Sequence, residues 1–346
     1  MILRYLIPML VFLCSCRQNV VFLDQFQDQG ELALECVREL GGNSIVHMNS
    51  MVKSGDCVVW NKYNTGKGTT LCVYHIPSDS LIEFLMPLKD SSHTHCYERL
   101  YEYNDSVVMS FNEVHQYFSY IQLADSIYIS NYQDLNIRNE EFFNWRGRAA
   151  LRSVCPGKDS LFLVGCIKTD RADYGVYDCN SQFLYPSYSC IPPTVLEMKC
   201  LQPDYKDHIS IVRQKDSNRY AVFRSYYQLY DVIDLHGTTL QFVKRNIYHH
   251  SQLTWTDQYN LQQDLTYHFF PGFFARSSQY IITLYRSGEK ERKLYLLLLD
   301  WEGKPLYSYR FPEKFEVYGL CGNRDHFLYV AGKTEQGQTG LFQVKY

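Results

Sequence analysis

Positive charge is not in surplus. Across 346 residues, 34 Lys and Arg stand against 37 Asp and Glu, a net charge of -3, so no broad basic field exists to grip phosphates and nucleic acid is not an expected partner. Charge of either sign is sparse, 21% against 46% hydrophobic residues, a balance that excludes a mostly disordered chain. No apolar run reaches the roughly 18 residues that a membrane-crossing helix needs. Catalytic signatures are missing as well: there is no Gly-x-Ser-x-Gly elbow, no His-Glu-x-x-His pair and no Asp-rich calcium loop, so neither an enzyme nor a cofactor is expected. The run Asn64-Thr65-Gly66-Lys67-Gly68-Thr69 falls short of a phosphate-cradling loop, with Asn61 and Gly68 at positions that need Gly and Ser or Thr, and reads as a hairpin turn. What the chain has in plenty is aromatic side chains: 30 Tyr, 20 Phe and 4 Trp, a weighting toward pleated, half-buried β surfaces.

The first residues read as an address. Arg4 precedes a short apolar run that ends Leu13-Cys14-Ser15-Cys16. Twelve residues make a helix of about 18 Å, short of the ~30 Å hydrocarbon core, so the run is the h-region of a cleaved signal and not a span. Leu13-Cys14-Ser15-Cys16 resembles the bacterial lipobox, an aliphatic residue at -3 and a small one at -1 before a cysteine. The resemblance implies that Cys16 becomes the acylated N-terminus, with the lipid bilayer as its partner, residues 1–15 as the signal peptide and residues 16–30 as a lipidated tether. Arg17-Gln18-Asn19-Val20 has no Asp at +2, which by the same analogy implies the outer membrane facing the periplasm, with surface display open. A plain secretory signal or a buried N-terminal strand is the alternative.

Beyond the tether, one pattern recurs: an apolar strand, a polar turn, a second aromatic strand, a tight turn and a third strand. Its equivalent positions Val58, Val107, Phe162, Ala221, Ile281 and Leu328 are 49, 55, 59, 60 and 47 residues apart. Each copy is preceded by a further apolar stretch, such as Glu98-Arg99-Leu100-Tyr101-Glu102, which supplies a fourth strand. Four strands repeated six times predict an all-β, six-bladed propeller over residues 31–346. A sandwich of unrelated hairpins explains the strands but not the spacing. The sixth copy lacks its outermost strand, and an unpaired edge exposes backbone groups, so an N-terminal strand, residues 19–24 or 31–37, is expected to close the ring. Leu32, Cys36, Val37 and Leu40 also fit a helical stripe, and the strand is the reading preferred here.

Lipobox, six irregular blades, the Asp300-Trp301-Glu302-Gly303-Lys304 turn and the high Tyr content together resemble the TolB-like six-bladed propeller lipoproteins of Gram-negative bacteria. The resemblance implies a fold and an address more than an activity. A binding or scaffold module for a protein or glycan at the cell envelope is the expectation. The alternative from another class is a propeller hydrolase of lactonase or esterase type, with a central divalent metal held by Asp, Asn and Glu around the axis.

Two side-chain groupings remain. His93 and His95 project to one face of an extended segment, weak candidates for a metal because no third ligand is visible nearby. Cys57 with Cys72, and Cys166 with Cys179, are expected to face each other across hairpins, as small buried thiols more than as bridges. Two long connections, residues 133–151 and 247–271, belong to one face of the disc. They carry Trp145, Arg146, Arg148, Trp255 and His268, and aromatic and Arg side chains on long loops are where binding concentrates. The alternative, weighed equally, is that these loops cover apolar blade edges.

Overall fold

The computed structural model describes residues 22–41, 48–64, 68–86, 98–113, 115–123, 127–138, 151–166, 172–188, 209–224, 229–247, 254–255, 261–262, 268–287, 293–324 and 327–346. It is a six-bladed β-propeller. Blade 1 is Met48–Ser54, Cys57–Asn64, Gly68–His75 and Ser80–Leu85, antiparallel in that order from axis to rim. Blade 2 begins with Glu98–Asn104, Val107–Asn112 and Tyr117–Gln122, and its rim is divided between the short pieces Tyr128–Ile129 and Gln133–Asp134. Blade 3 is Leu151–Pro156, Leu161–Cys166, Ala172–Asp178 and Phe183–Tyr188, and blade 4 is Ile209–Arg213, Arg219–Arg224, Leu229–His236 and Thr239–Ile247. Blade 5 is His268–Arg276, Tyr280–Arg286, Leu294–Asp300 and Pro305–Arg310; blade 6 draws Glu316–Arg324, Phe327–Lys333 and Thr339–Lys345 from the C-terminal end of the chain. The innermost strands touch in sequence around the axis, that of blade 6 meeting that of blade 1.

The strand repeat explains the packing. Successive side chains point to opposite faces of a strand, and each blade has a neighbour on both faces, so second strands are apolar without alternation. Val58 enters the seam with blade 6 and Val59 the seam with blade 2. Phe162 and Leu163, and Ile281 and Ile282, divide themselves likewise. The six seams hold six separate apolar clusters. All six equivalent repeat positions lie in second strands and are buried.

The ring closes through the N-terminal segment. Leu34–Glu39 pairs antiparallel with Thr339–Lys345, Leu34 opposite Val344, and becomes the outer strand of blade 6. Residues 31–37 are therefore the closing choice, and strand prevails over helix because the open edge takes up the backbone groups. Upstream, Gln27–Glu31 adds a fifth, parallel strand to the rim of blade 5. Phe22–Gln25 forms a 3-10 turn whose Phe22, with Phe26, is buried in the seam between blades 4 and 5. The ring thus reaches back to Phe22, inside the stretch expected as tether. Leu32 and Leu40 fill the next two seams, so one short segment belts three of the six.

The paired-cysteine expectation fails on register. Cys57 lies opposite His75 and Cys72 opposite Trp60, and the two thiols enter different seams. Leu161 opposite Asp178 puts Cys179 at the far end of its hairpin from Cys166. Among the described residues, Cys36, Cys57, Cys72, Cys155, Cys179 and Cys321 are free thiols. Burial pushes the Cys72 thiol up to about 12, with nearby Glu83 adding to the effect. Asn64 lies opposite Gly68, whose φ is +91°, so the glycine-rich run joins two antiparallel strands, and residues 65–67 lie outside the described residues.

Candidate functional site

Each innermost strand turns its unpaired edge to the axis, so backbone groups and consecutive side chains line the central channel. There the structure encloses a cavity of about 110 Å³. That is small beside the roughly 300–1,000 Å³ of pockets for drug-sized ligands.

Its charged lining is unequal. Lys53, Arg99 and Arg213 reach it from blades 1, 2 and 4, and Glu102 is the carboxylate among its lining residues. Lys53 is buried and its Nζ donates to the Gly55 carbonyl oxygen. Arg99 pairs through Nη2 with Glu113 Oε2 at 3.3 Å and donates from Nη1 to the Ile209 carbonyl at 3.4 Å. Arg213 donates from Nε to the Ser217 carbonyl at 3.0 Å and from Nη1 to that of Pro156 at 3.1 Å, bracing blade 4 on blade 3. Tyr101 OH and Ser153 Oγ lie 3.4 Å apart across the seam between blades 2 and 3. The Cys321 thiol also lines the cavity, and burial pushes its pKa up despite the nearby Lys53 ammonium.

Beside the cavity, Glu98 is fully buried at the start of the inner strand of blade 2. Ser110 Oγ donates to Glu98 Oε2 at 3.1 Å and Tyr117 OH to Oε1 at 3.2 Å. Asn61 Nδ2 of blade 1 donates to the Glu98 carbonyl at 2.8 Å. Burial first, and the Glu98 charge second, push the Tyr117 phenol well above its ordinary range. This carboxylate is held as a hydrogen-bonded acceptor in a seam.

Among the residues singled out by sequence, Trp145, Arg146, Arg148, His93 and His95 lie outside the described residues, as does Cys16. Trp255 pairs with Leu261 in a small hairpin apart from the six blades. His268 opens the innermost strand of blade 5, opposite Arg286. The start of the first long connection is seam filling: Leu135 and Ile137 are buried between blades 2 and 3, and Arg138 N donates to the Gln182 carbonyl of blade 3 at 2.9 Å. Sequence reasoning passed over Lys53, Arg99, Arg213 and Glu98. Their signal was a charged residue inside the apolar stretch that precedes each hairpin, where a buried inner strand calls for none.

No protein-family model matches the chain, and no curated protein matches it in sequence. Solved structures share its fold. An exported protein from Bacteroides fragilis is similar over 92% of this chain and 98% of its own, with TM-score 0.57 at 10% identity. Virginiamycin B lyase from Staphylococcus aureus aligns over 91% of this chain and all of its own, with TM-score 0.48 at 9% identity. The β-propeller domain of Cps50 from Myceliophteria thermophila aligns over 86% and 83%, with TM-score 0.47 at 9% identity. For the Bacteroides fragilis protein, at 10% identity, the likeness is one of fold.

Proposed function

We propose that the chain is a lipid-anchored binding or scaffold module of the cell envelope, acylated at Cys16 and meeting a protein or glycan partner on the face built from its long connections. The observation that carries the binding reading over the hydrolytic one is the charge of the axial cavity. A central divalent ion calls for converging oxygen ligands, whereas among the described residues this cavity presents Lys53, Arg99 and Arg213 beside one carboxylate, Glu102. Those residues do not fit a divalent cation, and among the described residues no group of three or more His, Cys, Asp or Glu converges elsewhere. The cavity is also small for a polymer ligand, which supports recognition at the faces of the disc.

The test is affinity capture from envelope membranes with the acylated protein, run beside lactone and aryl-ester hydrolysis with and without added Ca²⁺ or Mn²⁺. A specific protein or glycan retained by the intact chain, with no hydrolysis above buffer, is expected. Metal-dependent turnover would overturn the reading. Cys16→Ala is expected to release the chain from membranes, and fatty-acid labelling of that variant would show that the anchor lies elsewhere.

A further inference from the structure

We infer that the disc meets the lipid surface at the sector around the seam of blades 4 and 5, with blade 4 lowermost and blade 1 turned away. The inference rests on the acylation of Cys16 proposed above and says which surface that anchor brings to the bilayer.

The first step is where the chain becomes fixed. Phe22 is 6% exposed, its ring centroid 5.2 Å from that of Phe26 and 5.4 Å from that of Tyr285. Both phenylalanines pack among Phe223 and Tyr230 of blade 4 and Leu297 and Trp301 of blade 5. Burying two Phe side chains contributes about 3–6 kcal/mol at the usual transfer values, so Phe22 does not lift off to lengthen the tether.

The second step is reach. Arg17-Gln18-Asn19-Val20-Val21 is all that separates Cys16 from Phe22. Six Cα steps at full extension span about 20 Å. A globular chain of this length has a radius of gyration of about 20 Å, hence a diameter of about 50 Å. The tether is therefore shorter than the disc is wide. Blade 1, three places round a ring of six from blade 4, is carried to the far side.

The third step is charge. The strand added to the rim of blade 5 exposes Asp28 and Glu31, and Asp24 is exposed just before it. The rim strand of blade 4 exposes Val243, at 38%, and Lys244 instead. Anionic headgroups attract a Lys and repel carboxylates, and Arg17 in the tether adds to the attraction. The disc accordingly leans on blade 4.

The experiment places the photocrosslinker p-benzoylphenylalanine at position 243 or, opposite, at position 82, where Ile82 is 51% exposed on the rim of blade 1. The full acylated chain is reconstituted in vesicles of phosphatidylethanolamine and phosphatidylglycerol, and lipid adducts are measured by mass spectrometry. A several-fold excess of adduct at 243 over 82 is expected. A flexible insert of about twenty Gly and Ser residues after Gln18 lets the disc tumble and is expected to level the two yields. Equal yields with the native tether, or an excess at 82, would overturn the inference while leaving the anchor intact. An intact mass without acyl chains would instead overturn the anchoring reading, and this inference with it.

Discussion

The two faces of the disc are made by the same strands and are built on opposite plans. On one, the turns joining first to second and third to fourth strands are short and tied to the next blade. Ser54 Oγ donates to the Asn104 carbonyl at 2.7 Å, Gln214 Nε2 to that of Ser278 at 2.9 Å and Arg219 Nη1 to that of Trp301 at 3.3 Å, while Trp301 Nε1 joins the two turns of blade 5 by donating to the Ser277 carbonyl at 3.1 Å. The other face takes the crossings from one blade to the next, residues 86–97, 135–150, 189–208 and 248–267, against the brief 311–315. The difference teaches a division of labour. Stability in a propeller comes from seams and tight turns, and the long crossings enter the seams at their beginnings, through Met86, Leu135 and Ile137, while the added chain length collects beyond them.

The sharpest way to break that comparison is to remove the belt. Deleting residues 19–37 takes away Phe22, Phe26 and Leu32 from their seams and most of the outer strand of blade 6. The expected outcome is loss of a cooperative melting transition by calorimetry, whereas a deletion inside 189–208 is expected to shift melting little. A belt deletion that melts like the parent would show that the ring closes otherwise.

Next comes an ion pair inside a seam. Asp231 is fully buried, receives Arg245 Nε at 2.7 Å and Nη2 at 2.8 Å, and accepts from Tyr174 OH of blade 3 at 2.7 Å. Asp231→Ala removes the acceptor that the guanidinium and the phenol share. A loss of about 3–5 kcal/mol is expected in denaturant unfolding. If Asp231→Ala costs less than 1 kcal/mol, about the worth of an exposed pair, the seam is wetter than its burial implies.

A smaller effect tests the short turns. Gly303 has φ +76°, and a Cβ there would lie 2.8 Å from Asn246 Nδ2 and 3.2 Å from Val232 of blade 4. Gly303→Ala is expected to destabilise by about 1–3 kcal/mol through strain and crowding together, measurable as a lower urea midpoint at unchanged slope. Smallest in stability is the pair Trp145→Ala with Arg146→Ala. Melting is expected to hold while capture of the partner weakens by roughly thirtyfold or more per hot-spot residue, about 2 kcal/mol each. A lower melting point with capture intact would assign those residues to packing.

How much of this was legible beforehand follows the same division. Blade number, strand order and the closing strand were readable because each second strand carries a continuous apolar run that a two-sided seam demands, as in Phe162, Leu163 and Val164. The Asp300 turn was readable because its carboxylate accepts from the backbone N–H groups of Glu302 and Lys304, at 3.0 and 2.7 Å, a local pattern written in adjacent residues. Cys57 and Cys72 were misjudged because the register that sets Cys57 opposite His75 is displaced by three residues from one that would face the two thiols, and composition does not record such a shift. The axial cavity was not legible at all. Lys53, Arg99 and Arg213 are 46 and 114 residues apart along the chain and meet only because six strand edges are drawn round one axis.

Leu34 pairs with Val344, two positions separated by nearly the whole chain, and that pairing sets the order of events during synthesis. The closing strand is made among the first residues and its partner among the last. Five blades and the first two strands of a sixth must wait, with an open edge at either end, until Thr339–Lys345 is available to Leu34–Glu39. Contacts this distant are slow to form, and open strand edges are what neighbouring chains pair with in the meantime. Closure of the ring therefore competes with edge pairing between copies for as long as the last strand is wanting.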